Sequence, residues 1–171
     1  MSYFTNFGKI LYDPVGDGNA KLVTDIMSRV RVRANMKKEV VMLDQYDVKE
    51  NETPEIVADK HHGSSYYHWV VMLLNDISDV NHDWVKSTRQ LQKYLLSKYT
   101  EIQLTETHHY EISQTSGDTT TKIEVENATY PSASIVTNYE YEVALNDSKR
   151  QINLLRNDYL GFFTEEFASL I

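Results

Sequence analysis

Tyr46-Asp47-Val48-Lys49-Glu50-Asn51-Glu52-Thr53-Pro54-Glu55-Ile56-Val57-Ala58, then His62-Gly63, then Trp69 and Leu73 to Ile77, is the stretch whose reading decides the fold. The β-branched content of Val40 to Val48 predicts a strand. Thr53 is an N-cap residue and Pro54 suits the first helical position, where the missing N–H costs nothing. Ile56, Val57, Ala58 and Lys60 continue a short helix, and Gly63 ends it, because glycine accepts a left-handed conformation. Ser64 or Ser65 caps a second helix carrying an apolar stripe of Tyr66, Trp69, Val70, Leu73 and Leu74. Asn75 is expected at its end with a positive backbone angle. Asn75 to Asp83 is polar and turn-like.

Before this stretch, the first twenty residues are rich in Gly, Asn, Asp and aromatics, a composition of turns. Tyr3, Phe4, Phe7, Ile10, Leu11 and Tyr12 are too apolar for a free tail and are expected to pack on something. Thr24 is a candidate cap for a short helix through Arg29, so residues 1–39 read as an arm with one helix. After it, Ser87 caps a third helix with Leu91, Tyr94, Leu95 and Lys98 on one side. His108 to Ser113 and Lys122 to Glu126 alternate as a hairpin whose loop holds Gly117-Asp118. Pro131 marks a connection. Tyr139 to Leu145 predicts a helix, Arg150 to Leu155 a strand, and Asn157 the cap of a last helix through Leu170. The chain thus divides into an arm (1–39), a module (40–86), a helix-plus-hairpin region (87–138) and a C-terminal helix and strand clamp (139–171). The fold class is α+β.

The composition narrows the function. Seventeen Lys and Arg against twenty-five Asp and Glu give a net charge of −8, a poor surface for nucleic acid, which needs concentrated positive charge. Arg29, Arg31, Arg33, Lys37 and Lys38 are the exception, a basic stretch that reads as a solvated face or a contact to an acidic partner. The absence of cysteine removes thiol chemistry and cysteine zinc sites and fits synthesis in a reducing cytoplasm. No basic start followed by an apolar stretch marks a signal peptide, and the longest apolar run, Trp69 to Leu74, is too short for a bilayer.

No motif carries chemistry. His61, His62, His68, His82, His108 and His109 lack metalloprotease spacing and read as surface or helix-end residues. Asp13 to Thr24 has the outline of a calcium loop but places Val15 and Thr24 where ligands are needed. Glu50 with Glu52, and Glu165 with Glu166, read as solvated carboxylates. The expectation is a non-enzyme without cofactor, metal, nucleic acid or membrane.

The quoted stretch resembles a LysM module: a strand ending Tyr-x-Val, an acidic turn, a Thr-capped helix, a glycine, and a second helix with tryptophan. Two departures are Pro54 in place of the usual leucine and a closing strand not obvious after Trp84. Together with Asp25-Ile26-Met27-Ser28-Arg29, Tyr139-Glu140-Tyr141-Glu142 and Asn146-Asp147-Ser148-Lys149-Arg150-Gln151-Ile152, it is similar to the LysM-like baseplate wedge subunit of T-even-like contractile-tail bacteriophages. The resemblance implies a structural virion protein, assembled in the host cytoplasm, that joins neighbouring wedges around the tail hub. Its implied neighbours are the wedge-core heterotrimer and the sheath-initiating subunit. Aromatic and arginine anchors dominate interfaces, so Phe4, Phe7, Tyr12, Tyr139, Tyr141, Arg150, Tyr159, Phe162, Phe163 and Phe167 are the candidate partner-facing residues. The alternative implied by the module is peptidoglycan (N-acetylglucosamine glycan) binding at Glu50, Asn51, Glu52, Thr53, Asn75, Asp76 and Ile77. Fold likeness alone does not license that activity.

Overall fold

Thr53 and Pro54 begin α1 (Pro54–His62) as the sequence requires, and Gly63 closes it at φ 72°, its N–H donating to the Asp59 carbonyl. The computed structural model describes residues 3–28, 30, 32, 41–115, 117 and 120–171. Arg29, Arg31, Arg33, Lys37 and Lys38 of the basic stretch, the start of the expected strand at Val40, and Asp118 lie outside the described residues. The chain is α+β and divides into two units, residues 1–83 with 151–171, and residues 84–150.

In the first unit, a 3-10 turn (Tyr3–Asn6) precedes an antiparallel ribbon of β1 (Lys9–Tyr12) and β2 (Lys21–Thr24). The expected helix at Thr24 is therefore replaced by a strand end. Lys9-Ile10-Leu11-Tyr12 pairs with Lys21-Leu22-Val23-Thr24, and the Asp25 N–H extends the pairing to the Gly8 carbonyl at 2.8 Å. Thr24 lost its capping role because cross-strand pairing of aliphatic residues outweighed a weak local cap signal.

Next come β3 (Leu43–Asp47), α1, a 3-10 turn (Ser65–Tyr67) and α2 (His68–Leu74). The Ser64 hydroxyl accepts from the Tyr66 N–H, as expected of a cap. Tyr66 itself leaves the predicted stripe and is exposed, because the 3-10 turn rotates it off the face formed by Trp69, Val70, Val71 and Leu74. The positive backbone angle falls one residue beyond Asn75, on Asp76 at φ 55°. Asn75 stays at φ −101° and uses its side chain instead. A short helical turn, α3 (Val80–Asp83), follows.

Among the described residues, the partner of β3 is not within 40–86. It is β7 (Gln151–Leu155), antiparallel, with Tyr46 opposite Ile152 and Leu43 opposite Leu155. The element order β3, α1, α2, β7 is thus β-α-α-β with a long excursion before its last strand. Asn75 holds this closure: its Nδ2 donates to the Asn153 carbonyl at 2.8 Å and its Oδ1 accepts from the Asn153 N–H at 2.9 Å. α7 (Asn157–Leu170) completes the unit. Its N-cap is Arg156, while Asn157, expected as the cap, donates to the His61 carbonyl and accepts from His62 Nδ1, so it terminates α1. The core gathers Phe7, Trp69, Val70, Leu74, Leu155, Phe163 and Phe167.

The second unit comprises α4 (Thr88–Lys98), α5 (Glu101–Thr105), β4 (Thr107–Ser113), β5 (Lys122–Val125), β6 (Ser134–Thr137) and α6 (Asn138–Ser148). The expected hairpin β4–β5 forms, and an unanticipated β6 adds to the other edge of β4. Capping boxes at Ser87, Thr100 and Thr137 start the three helices. Buried Asn146 ties the unit's entry to its exit, accepting from the Lys86 N–H at 2.8 Å and donating to the Lys86 carbonyl at 3.0 Å.

Candidate partner-docking site

The first unit carries an apolar groove of about 440 Å³ lined by Tyr3, Phe4, His68, Trp69, Met72, Leu73, Ile77 and Ser78. Three local devices build it. The 3-10 turn sets Tyr3 against Trp69 (ring centroids 5.6 Å apart), while Trp69 leans on Phe167 at 4.5 Å. The Ile77 N–H donates to the Met72 carbonyl at 2.9 Å, folding the chain after α2 back over the groove's end. His68 is pinned by a 2.9 Å hydrogen bond between Nδ1 and the Ser65 carbonyl. The same unit exposes Phe4, Tyr12 and Tyr66, and on α7 Phe162, which is 74% exposed.

The two corners named for glycan binding have a different construction. At the β3–α1 corner, Asn51 adopts φ 64° and turns Glu52 inward. The buried Glu52 carboxylate accepts from the Tyr46 hydroxyl at 2.9 Å and the Lys49 N–H at 2.8 Å, and pairs with Lys60. Burial pushes the Glu52 carboxyl up, but the bonds from Lys60, the Lys49 amide and Tyr46 outweigh it, so its affinity for protons is lowered. Tyr46 is pushed up to about 12 by burial and by the Glu52 carboxylate. At the other corner, Asn75 is committed to β7. Glu50, Asn51, Thr53 and Asp76 are exposed. Among the described residues no group of three or more His, Asp or Glu side chains is arranged to hold a metal ion.

Residues 2–132 match the family described as base plate wedge protein 53. The chain belongs to that family. No curated protein matches it. Membership makes the chain a structural protein of the phage tail baseplate, located in the virion tail and interacting with other baseplate proteins. No helix among the described residues is long and apolar enough to cross a membrane.

For a baseplate wedge protein, the ten candidate partner-facing residues divide by burial. Phe7, Phe163 and Phe167 are buried in the core of the first unit, a correction to their expected role. Phe163 and Phe167 lie four residues apart and so share the inward face of α7. Phe4, Tyr12 and Phe162 are exposed on that unit, and Tyr159 is half-buried against its core. In the second unit Tyr139 is exposed, Tyr141 stacks on His108 with centroids 3.8 Å apart, and Arg150 holds Asp147 at 3.1 Å. Sequence reasoning did not find Leu22, Val23 or Met72 in the wedge protein's surface. Two short aliphatic runs, Lys9-Ile10-Leu11-Tyr12 and Lys21-Leu22-Val23-Thr24, flanking a Gly- and Asp-rich turn are the signal that would have found the first two.

Proposed function

We propose that this wedge protein joins neighbouring wedges around the tail hub, using a LysM-like β-α-α-β module as scaffold and not as a sugar receptor. The observation that carries the reading is apolar surplus: Phe4 lines the groove and Tyr12 and Phe162 stay exposed elsewhere on a unit whose core is already filled by Phe7, Trp69, Phe163 and Phe167. Aromatic residues beyond those a core needs supply anchors for a partner. The wedge-core heterotrimer and the sheath-initiating subunit are the neighbours this reading expects. Glycan binding has in its favour the strand-helix-helix-strand order and the exposed left-handed corners Asn51 and Asp76. Against it, Glu52 and Asn75 spend their polar groups inside the protein.

The test sets the two readings against each other. The purified chain is mixed separately with insoluble peptidoglycan and with co-expressed wedge proteins of the same phage. Co-assembly without sedimentation on peptidoglycan is the expected outcome; the reverse pattern overturns the joining role. Phe162→Ala should weaken co-assembly while leaving the melting temperature within about 2 °C, since an exposed side chain contributes little to the fold.

A further inference from the structure

β4 is irregular where it meets β6. Thr107 pairs with Thr137 but His109 pairs with Val136, so His108 is an extra residue on β4. On a regular strand neighbouring side chains point to opposite faces, whereas a bulge re-aims one of them. The result here is a pair of imidazoles brought together. Nδ1 of His108 lies 2.9 Å from Nδ1 of His109, with the ring centroids 5.1 Å apart and the planes nearly perpendicular at 85°. Tyr141 of α6 fixes the arrangement, stacking on His108 at 3.8 Å and 9° and meeting His109 edge-on at 6.1 Å. His108 is exposed and His109 half-buried, so the pair is held at the surface.

In the neutral pair one Nδ1 donates to the other. An exposed hydrogen bond competes with water and contributes little to the fold. The separation of the two nitrogens suits a stronger occupant. Two nitrogens about 2.0 Å from one ion and at a right angle to each other lie about 2.8 Å apart; at the tetrahedral angle they lie about 3.3 Å apart. The observed 2.9 Å fits the right-angle case, the tetragonal geometry of Cu(II) and Ni(II), and imidazole is a favoured ligand of both. We propose that His108 and His109 chelate one Cu(II) or Ni(II) ion through their Nδ1 atoms, with water in the remaining positions. Among the described residues no third His, Asp or Glu joins them, so the site is open on the solvent side. The stack on Tyr141 lowers the freedom lost when the ion binds. The ion takes the place of the proton between the rings. The donor ring gives up that proton from Nδ1 and takes one up on Nε2, so both imidazoles stay neutral.

The experiment is a titration of the full chain with copper(II) sulfate alone, read by electron paramagnetic resonance and by the histidine ring signals in NMR. An equimolar ion should give a tetragonal spectrum with two nitrogen ligands. Ion below equimolar should broaden the His108 and His109 rings before those of the other histidines. His108→Phe keeps a ring on Tyr141 and removes one donor, and His109→Gln removes the other. Each should weaken binding at least about tenfold, since loss of a ligand costs no less than loss of a group that orients one. His82→Gln should leave binding unchanged. Copper that broadens other histidines first overturns the proposal on the wild type alone, whether or not a variant folds. Binding as tight in folded His108→Phe and His109→Gln as in wild type overturns it too. One ion shared by two chains, seen as a metal-dependent dimer, assigns the pair to a contact between copies and overturns the water-completed site.

Discussion

Glu52 and His62 show how two polar side chains can be buried to opposite electrostatic ends. Glu52 stays charged because three donors surround it. Its lowered folded value means that its stabilisation is complete above the ordinary carboxylate range and fades as pH falls through the folded value. Glu52→Ala leaves the Tyr46 hydroxyl and Lys49 amide without their acceptor and should cost roughly 2–3 kcal/mol, read from urea unfolding at pH 7. His62 goes the other way. Its Nδ1 donates to Asn157 at 2.8 Å while its buried Nε2 has no hydrogen-bond partner, and burial lowers its proton affinity below the ordinary 6.5. The folded state therefore binds fewer protons than the unfolded one, and stability should decline as pH drops below 6.5. The difference in melting temperature between wild type and His62→Phe should then shift in the variant's favour between pH 7 and pH 5.5. A constant difference would mean that His62 does not titrate with unfolding.

Elements were legible where capping chemistry spoke and obscure where partners lay far away in sequence. Thr53-Pro54, His62-Gly63 and Ser87 marked helix ends correctly because each acts locally: Pro54 presets the first helical turn without an N–H to satisfy, the Gly63 N–H caps the Asp59 carbonyl, and Ser87 closes a capping box with Gln90. β6 and the β1–β2 ribbon were missed because four-residue strands owe their state to pairing, not to a local signal. Phe163 and Phe167 of α7 were placed on a surface with Phe162 for the same reason: a fourteen-residue helix with excess apolar content has two apolar faces, and only packing tells which is inward. At this scale Trp69→Ala should cost roughly 3–5 kcal/mol, because Tyr3, Phe163 and Phe167 all rest on the indole. Chemical denaturation measures it, and a stable variant would show that the groove wall is not the core.

The whole molecule turns on which strand closes the first unit. The described residues of 40–86 contain one strand, and its partner brings Leu154 and Leu155, both fully buried. A fragment of residues 40–86 should therefore give no cooperative thermal transition by circular dichroism. Residues 1–83 joined through a short glycine-serine linker to 151–171 should regain one. The sequence could place the strand at Arg150 to Leu155 but not its pairing, since β-strand register across a hundred residues leaves no local trace. The candidate site was legible in part for the same reason: Phe4 and Tyr12 announce themselves by composition, whereas the groove needs Trp69, Met72 and Ile77 brought together by the fold.

The position of β7 also sets an order of events on the ribosome. Residues 84–150 emerge, with Lys86 and Asn146 both available to each other, ahead of the strand that β3 requires. The inserted unit is thus free to fold first, while the earlier-made residues around Trp69 wait with apolar surface uncovered. Groove and core mature together, only when residues 151–155 leave the exit tunnel. A nascent chain stalled before that point offers chaperones a binding segment and offers the baseplate none.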